Sequence, residues 1–358
     1  MSKFSPFFFL IPLLLIPPLL LGKPTFANPT HEGIDNYFSD YNHSDTPGAS
    51  VLIIQNGSVT YSRGYGLANL EEKTPVTLQT NFRLASLTKQ FTATAILLLV
   101  QENKLSLNTK LQEIVPDFPD YARDITIRHL LNHTSGLFDY ETLIPTSQLS
   151  QISDAEVLDL LKQQTGLYFF PGSQYRYSNG GYVLLGLIVA LITEQSFSQF
   201  LKQNIFNPLQ MKNTQMYEGE ETLITHRAYG YTKLGTTFTK TDQSITSATK
   251  GDGGVYTSAS DWILWENSIH HNLLISNSLQ ETAFSKGKLN DGSFTSYGFG
   301  WMLDTFKGWI HQYHTGSTIG FRTAIDRFPE KNLAILVLIN RSNANPWEIS
   351  QSIAQLYF

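Results

Sequence analysis

The stretch Phe82-Arg83-Leu84-Ala85-Ser86-Leu87-Thr88-Lys89-Gln90-Phe91 runs directly into Thr92-Ala93-Thr94-Ala95-Ile96-Leu97-Leu98-Leu99-Val100. From Ser86 onward it holds good helix formers, no Gly or Pro, and apolar residues on nearly every side, which predicts a helix buried in the middle of a domain. Its first turn carries Ser86 and, one turn later on the same face, Lys89. Burial disfavours an ammonium, so a Lys brought from about 10.4 towards neutrality becomes a proton acceptor within reach of the Ser hydroxyl. The helix N-terminus adds free N–H groups and the positive end of the dipole, where an anion formed during attack by Ser86 is stabilised.

Spacing alone does not decide the matter, because Ser-x-x-Lys occurs three times. Ser247 to Lys250 runs into Gly251-Asp252-Gly253-Gly254, and Ser285 to Lys288 contains Gly287, so neither opens a helix. A capping Ser beside a Lys that reaches solvent is the other reading of the Ser86 copy. Two further stretches bear on the choice. Tyr177-Ser178-Asn179 lies in a Gly-flanked loop after Pro171-Gly172 and before another apolar helix, Tyr182 to Ile192. A phenol near Lys89 can hold or relay the proton from Ser86, and the Asn179 amide can orient both Lys89 and a substrate carbonyl; a turn with a capping Asn and a surface Tyr is the alternative. His314-Thr315-Gly316-Ser317 ends a predicted strand, where Gly316 permits close backbone approach and the Ser317 N–H can serve as a second oxyanion donor. His-x-Gly is itself common, and His31-Glu32-Gly33 is a copy within a predicted helix.

Outside these stretches the chain divides by period. Ile34, Tyr37, Phe38 and Tyr41 recur at helical spacing; Ala49 to Gln55 and Ser58 to Gly66 read as strands joined by a hairpin turn at Asn56-Gly57. Residues 101–289 are mostly helical, with Ser153-Asp154-Ala155-Glu156 a capping box and helices expected after Ser196 and Ser258. Strands are predicted at Tyr297 to Leu303, Trp309 to His314, Phe321 to Phe328 and Leu333 to Asn340, then a helix opened by Asn345-Pro346. The expectation is a mixed α/β fold: one mainly antiparallel sheet flanked by N- and C-terminal helices, built from residues 28–100 and 290–358, with a mostly helical subdomain, residues 101–289, inserted between its halves.

Composition narrows the function classes. The 358 residues suffice for one large domain or two entwined ones. Lys3 followed by an apolar run from Phe4 to Leu21, with Thr25-Phe26-Ala27 as a small-residue cleavage site, predicts a signal peptide over residues 1–27 and a mature domain over 28–358, hence a periplasmic or secreted protein. An uncleaved N-terminal anchor is the alternative; Pro12, Pro17 and Pro18 favour cleavage, with no stable span afterwards. With no Cys, disulfides, thiolate zinc sites, a Cys nucleophile and a lipidated Cys are all excluded. Loss of Lys3 and Lys23 would take the formal charge from −5 to −7, and no basic run remains, which argues against nucleic acid as a partner. No cofactor or metal is called for. His129 and His133, one turn apart, lack a following Glu and read as structural, and Gly251 to Gly254 lacks the Lys-Ser/Thr of a phosphate loop and reads as a substrate-lining turn. No Gly-x-Ser-x-Gly elbow occurs.

Taken in order, Ser86-Leu87-Thr88-Lys89, Tyr177-Ser178-Asn179 and His314-Thr315-Gly316 resemble the serine hydrolases of the penicillin-binding-protein and class C β-lactamase type. His133-Thr134-Ser135-Gly136-Leu137 and Gly251-Asp252-Gly253-Gly254 look similar too. The resemblance implies a β-lactamase/transpeptidase-like fold and an acyl-enzyme on Ser86, with Lys89 and Tyr177 exchanging its proton. It implies that Asn179, with His314, Thr315, Gly316 and Ser317, positions substrate, and that the Ser86 and Ser317 N–H groups form the oxyanion hole. Peptide or other small-molecule amide and ester substrates are implied, D-amino-acid peptides among them. A penicillin-binding receptor with little turnover and an acyltransferase would use the same residues. His314 stands where class C β-lactamases usually have Lys, which argues against efficient β-lactamase activity; His-Thr-Gly is found in carboxypeptidases, aminopeptidases and esterases of this type. With an unperturbed pKa of about 6.5, His314 supplies less positive charge near neutrality than Lys; if a His314 cation assists Tyr177 or binds a carboxylate, activity is expected to fall as pH rises, and a structural His314 is the alternative. Arg322 is a second candidate carboxylate receptor, a solvent-facing strand residue being its other reading.

Overall fold

The computed structural model describes Met1 and residues 30–358; apart from Met1, the expected signal segment lies outside the described residues. Two apolar, β-branched runs form the centre of the sheet. The first, β1 (Ala49–Gln55), turns at Asn56 and Gly57, both with positive φ (52° and 74°) as a tight hairpin requires, into β2 (Ser58–Tyr65). The far end of the chain supplies β3 (Met302–Phe306), β4 (Trp309–Thr318), β5 (Phe321–Phe328) and β6 (Leu333–Ile339). The six pair antiparallel in the order β3-β4-β5-β6-β1-β2, with Ala49 opposite Ile339 and Gln55 opposite Leu333.

Strand β6 is buried along its whole length, so its apolar run hides an alternation. Ala334, Leu336 and Leu338 face a core shared with the helical part, whereas Leu333, Ile335, Val337 and Ile339 face a core shared with the terminal helices. That second core takes Ile34, Phe38 and Tyr41 from a helix, His31–Asp35, that continues as 3-10 turns to Tyr41, and Ile353 and Ala354 from the C-terminal helix Pro346–Gln355. The C-terminal helix starts as expected, the Asn345 side chain accepting from the Glu348 N–H and Pro346 occupying the first turn.

On the other face the helix Lys89–Gln101 packs against the helix Asn179–Thr193, and Phe91 meets Trp265 of the helix Ala259–His271 at 4.4 Å between rings. Two expectations shift. Tyr297 to Gly300 is a loop, and the strand starts only at Met302: Gly300 takes φ 79° and lies so close to the start of the Lys89 helix that a Cβ there would be 2.8 Å from the Lys89 carbonyl oxygen. Strand β4, by contrast, runs past His314 to Thr318. Among the described residues no single helix is long and apolar enough to cross a membrane.

Candidate active site

Ser86 precedes the α-helix rather than opening it. A 3-10 turn, Ala85–Thr88, leads into Lys89, and it is entered through Ala85 at φ 50°, a region that side chains other than Gly seldom adopt. Tertiary contacts hold this turn. The Leu84 N–H donates to the Val255 carbonyl at 2.9 Å, the Leu84 carbonyl accepts from the Thr323 hydroxyl at 2.8 Å, and the Val255 N–H donates to the Thr88 hydroxyl at 3.1 Å. Gly316 allows strand β4 this close: a Cβ there would lie 2.3 Å from the Leu84 carbonyl oxygen. Ser86 and Ser317 consequently line one cleft, together with Asn179, Asp252 and Gly253.

Lys89 is wholly buried, and its Nζ lies 3.1 Å from Ser86 Oγ, 2.8 Å from Asn179 Oδ1 and 2.9 Å from the Asp252 carbonyl oxygen. Burial lowers its pKa to about 8, with the Asp252 and Glu141 carboxylates pulling the other way. A neutral Lys89 has two N–H bonds for the two fixed acceptors and one lone pair for the Ser86 O–H. The Tyr177 ring centroid is 4.9 Å from Nζ. Its phenol is buried without a hydrogen bond of regular geometry, the Ser86 hydroxyl being the polar group near it, and burial pushes its pKa well up.

Asn179 is the first residue of its helix, and the cap is Ser178, whose hydroxyl accepts from the Gly181 N–H at 3.2 Å. This frees the Asn179 amide for the site: Oδ1 accepts from Lys89 and Nδ2 donates to Glu141 Oε1 at 2.6 Å. The reversed amide would set donor against donor and acceptor against carboxylate, so these two partners fix its orientation. His133 backs the site, its Nδ1 accepting from the Ser178 N–H at 3.1 Å and its ring 4.2 Å from that of Tyr177.

The structure thus brings Ser86, Lys89, Tyr177, Asn179 and Ser317 together. Thr315 is exposed on the same face of β4 as Ser317, and Gly316 supplies the close approach. His314 also lies beside Tyr177, the ring centroids 6.1 Å apart, and differs from expectation in its charge. It is buried on the opposite face of the strand, its Nδ1 2.7 Å from the Thr315 carbonyl and its Nε2 2.9 Å from the Tyr297 hydroxyl. Donation from Nδ1–H and acceptance at Nε2 from the phenol satisfy both nitrogens of a neutral ring. Burial, and next the charge of Lys89, push its pKa down to about 3, so the expected His314 cation is not available near neutrality. Arg322 is committed as well, its Nη1 donating to the Thr318 and Phe321 carbonyls. Sequence reasoning missed Glu141 and Tyr297; Asp252 lay within a turn expected to line the site. A larger and more apolar cavity lies beside the helix Ala259–His271; its polar lining is the paired Glu266 and Arg327 with Asn267, His270 and Asn332, and it holds no Ser, Thr or Lys.

An antiparallel sheet with helices on both faces, a helical insertion, and a buried Ser–Lys pair at their junction define the β-lactamase/transpeptidase-like class. The Beta-lactamase family model matches residues 34–355, and the chain belongs to that family, as a hydrolase. It is 34% identical over 316 residues to penicillin-binding protein 4* of Bacillus subtilis (strain 168), covering 84% of this chain and 69% of that protein. The chain spans between 64% and 69% of the length of the curated relatives it first matches. Its fold superposes with a TM-score of 0.77 on a penicillin-binding protein from Bacillus halodurans (26% identity, 92% of this chain, 99% of that one). The same score is found with the D-amino acid amidase of Ochrobactrum anthropi SV3 complexed with L-phenylalanine amide (25% identity, 91% and 97%).

Proposed function

We propose that the chain is an exported serine hydrolase that cleaves amide or ester bonds of D-amino-acid peptides or small esters through an acyl-enzyme on Ser86. The observation that carries this reading is the Lys89 amine, buried, brought near neutrality and 3.1 Å from Ser86 Oγ. Neutral Lys89 takes the hydroxyl proton as Oγ forms its bond to the substrate carbonyl carbon. The carbonyl oxygen becomes an oxyanion between the N–H groups of Ser86 and Ser317, where loss of one donor costs about 3–4 kcal/mol of transition-state stabilisation. Tyr177, which burial keeps as a phenol, hands a proton to the leaving amine or alcohol and recovers one from Lys89. The bond to the leaving group breaks, and water then releases the acyl group by the reverse sequence. The two groups have pKa values driven apart by their surroundings, a base near neutrality and an acid far above it, which is the pairing such a transfer needs.

A fluorophosphonate probe or a labelled penicillin is expected to modify Ser86, and Ser86→Ala to lose both the label and turnover on a panel of D-amino-acid peptides and p-nitrophenyl esters. Unlabelled protein at high reagent, with Ser86→Ala equal to wild type on the panel, overturns the reading. For export, the expected result is a mature N-terminus at Asn28 in the envelope or medium fraction; retention of residues 1–27 in the cytoplasm refutes it.

A further inference from the structure

The cavity beside the helix Ala259–His271, 310 Å³ in volume, shares no lining residue with the Ser86 cleft. One row of the sheet creates it. On β4, β5, β6 and β1, the residues Gln312, Arg327, Ala334 and Ile54 stand opposite one another in turn. Two residues along, the same face presents Ile325, Leu336 and Leu52, large side chains that fill the space under the helices. The small Ala334 leaves that space open, and Ile263 and Leu264 of the helix close it from above. Its charged end is a buried ion pair, Arg327 and Glu266 each being more than nine-tenths buried. Arg327 Nε donates to both Glu266 oxygens, at 2.8 and 2.9 Å, and Nη1 donates to Gln312 Oε1. The guanidinium carbon lies 5.3 Å from the centre of the Phe284 ring and 5.6 Å from that of Trp301. Nη2, with two N–H groups, has no acceptor among the described residues. Asn267, His270 and Asn332 are exposed at the rim.

We propose that this cavity is a second binding site, separate from the Ser86 cleft, for a small neutral amphiphile whose apolar body lies against Ile54, Ile263, Leu264 and Ala334 and whose hydroxyl sits between Arg327 Nη2 and Glu266. The inference is independent of the chemistry at Ser86. Volume sets the size of the body: an apolar cavity of roughly 150 Å³ holds benzene, so this one has room for about ten carbon-sized atoms. Charge sets the head group. Arg327 and Glu266 cancel each other, so a carboxylate brought to Nη2 meets the Glu266 carboxylate on the same guanidinium, and an ammonium brought to Glu266 meets Arg327. Either ion would lose its hydration with no net opposite charge to offset the loss. A hydroxyl does what neither ion can, accepting from Nη2 and donating to a Glu266 oxygen, whose only protein donor is Nε. A few placed polar groups in a mostly apolar hollow are the usual composition of a small-molecule site.

The test is a series with one chain and three head groups, octan-1-ol, octanoate and octylammonium, titrated into the protein at pH 7 by calorimetry; the second and third are ionised there. Octan-1-ol is expected to bind at one site with a Kd of about 0.1–1 mM, and the two ions about 10-fold or more weakly. Ala334→Leu fills the cavity from the sheet and should abolish binding of the alcohol while the protein still unfolds cooperatively; Ile263→Phe fills it from the helix and serves if the first variant does not fold. Arg327→Lys keeps a cation beside Glu266 but removes Nη2, and should weaken octan-1-ol by about 5-fold or more. Ser86→Ala should leave the Kd unchanged, which separates this site from the catalytic cleft. No binding of octan-1-ol, equal binding of all three head groups, or binding that survives both cavity-filling variants overturns the proposal. So does a Kd that is lost in Ser86→Ala, since the alcohol then occupies the cleft.

Discussion

Ser86 to Lys89 and Ser247 to Lys250 share a spacing and nothing else. Lys250 pairs with a carboxylate, its Nζ 3.3 Å from Asp154 Oδ2, and its backbone N–H donates to Asp154 Oδ1 at 2.9 Å. Ser247 takes the Ser244 N–H at 2.9 Å and closes a turn. Lys89 Nζ has no carboxylate oxygen among its hydrogen-bond partners. Its fixed partners are an amide oxygen and a backbone carbonyl, neutral acceptors that bring no opposite charge against the cost of burying an ammonium. One Lys is an ion-pair partner and the other the proposed base because of what surrounds them.

That contrast can be broken by substitution. The largest effect is expected from Ser86→Ala, which removes the covalent route and should lower kcat/KM by about 10³-fold or more. Lys89→Met should follow, at about 10²–10⁴-fold in kcat, the range for loss of a positioned acid–base group. Lys250→Met should leave kcat/KM within about 2-fold and show itself in urea unfolding, with about 2 kcal/mol lost as the buried Asp154 gives up a charged partner. Equal effects of the two Met substitutions on kcat would erase the distinction.

The pH profile sharpens it further. A base must be unprotonated to act, so kcat/KM should climb as pH rises through about 8, the value to which burial brings Lys89. In Glu141→Gln the same limb should move to lower pH, since that carboxylate raises the pKa of Lys89. A neutral His314 predicts no ionisation from this ring between roughly pH 5.5 and 7, and His314→Gln should keep the limb of the wild type; a limb there that vanishes in the variant would restore the cation. The smallest effect is expected at Ala85→Gly, where relief of a left-handed conformation worth about 1–2 kcal/mol is partly offset by the added freedom of Gly in the unfolded chain.

How far the sequence was legible follows from the range of the interactions involved. The hairpin at Asn56-Gly57, the capping at Ser153, Ser196 and Asn345, and the apolar runs of β1 and β6 are local features, and they appear where their residues predict. Ser86, Lys89, Tyr177 and Asn179 were visible because their types and order are unusual together. Glu141 was not: it is an acid in a polar loop, and nothing within its own segment signals that the start of the Asn179 helix will pass 2.6 Å away. His314 was misjudged for a related reason. Its strand position was clear, but its charge depends on Tyr297, which the same patterning placed in a strand and which lies in a loop.

The hydrogen bond from Thr323 to the Leu84 carbonyl joins residues 239 positions apart in the chain, and it helps fasten the turn that carries Ser86. Ser86, the proposed nucleophile, is therefore translated well before the strands that hold its turn. A growing chain that already includes Ser86, Lys89 and Tyr177 still lacks strands β4 and β5, and with them the support of the turn and the proposed second oxyanion donor. On the proposed mechanism, the serine of such an unfinished polypeptide is chemically silent.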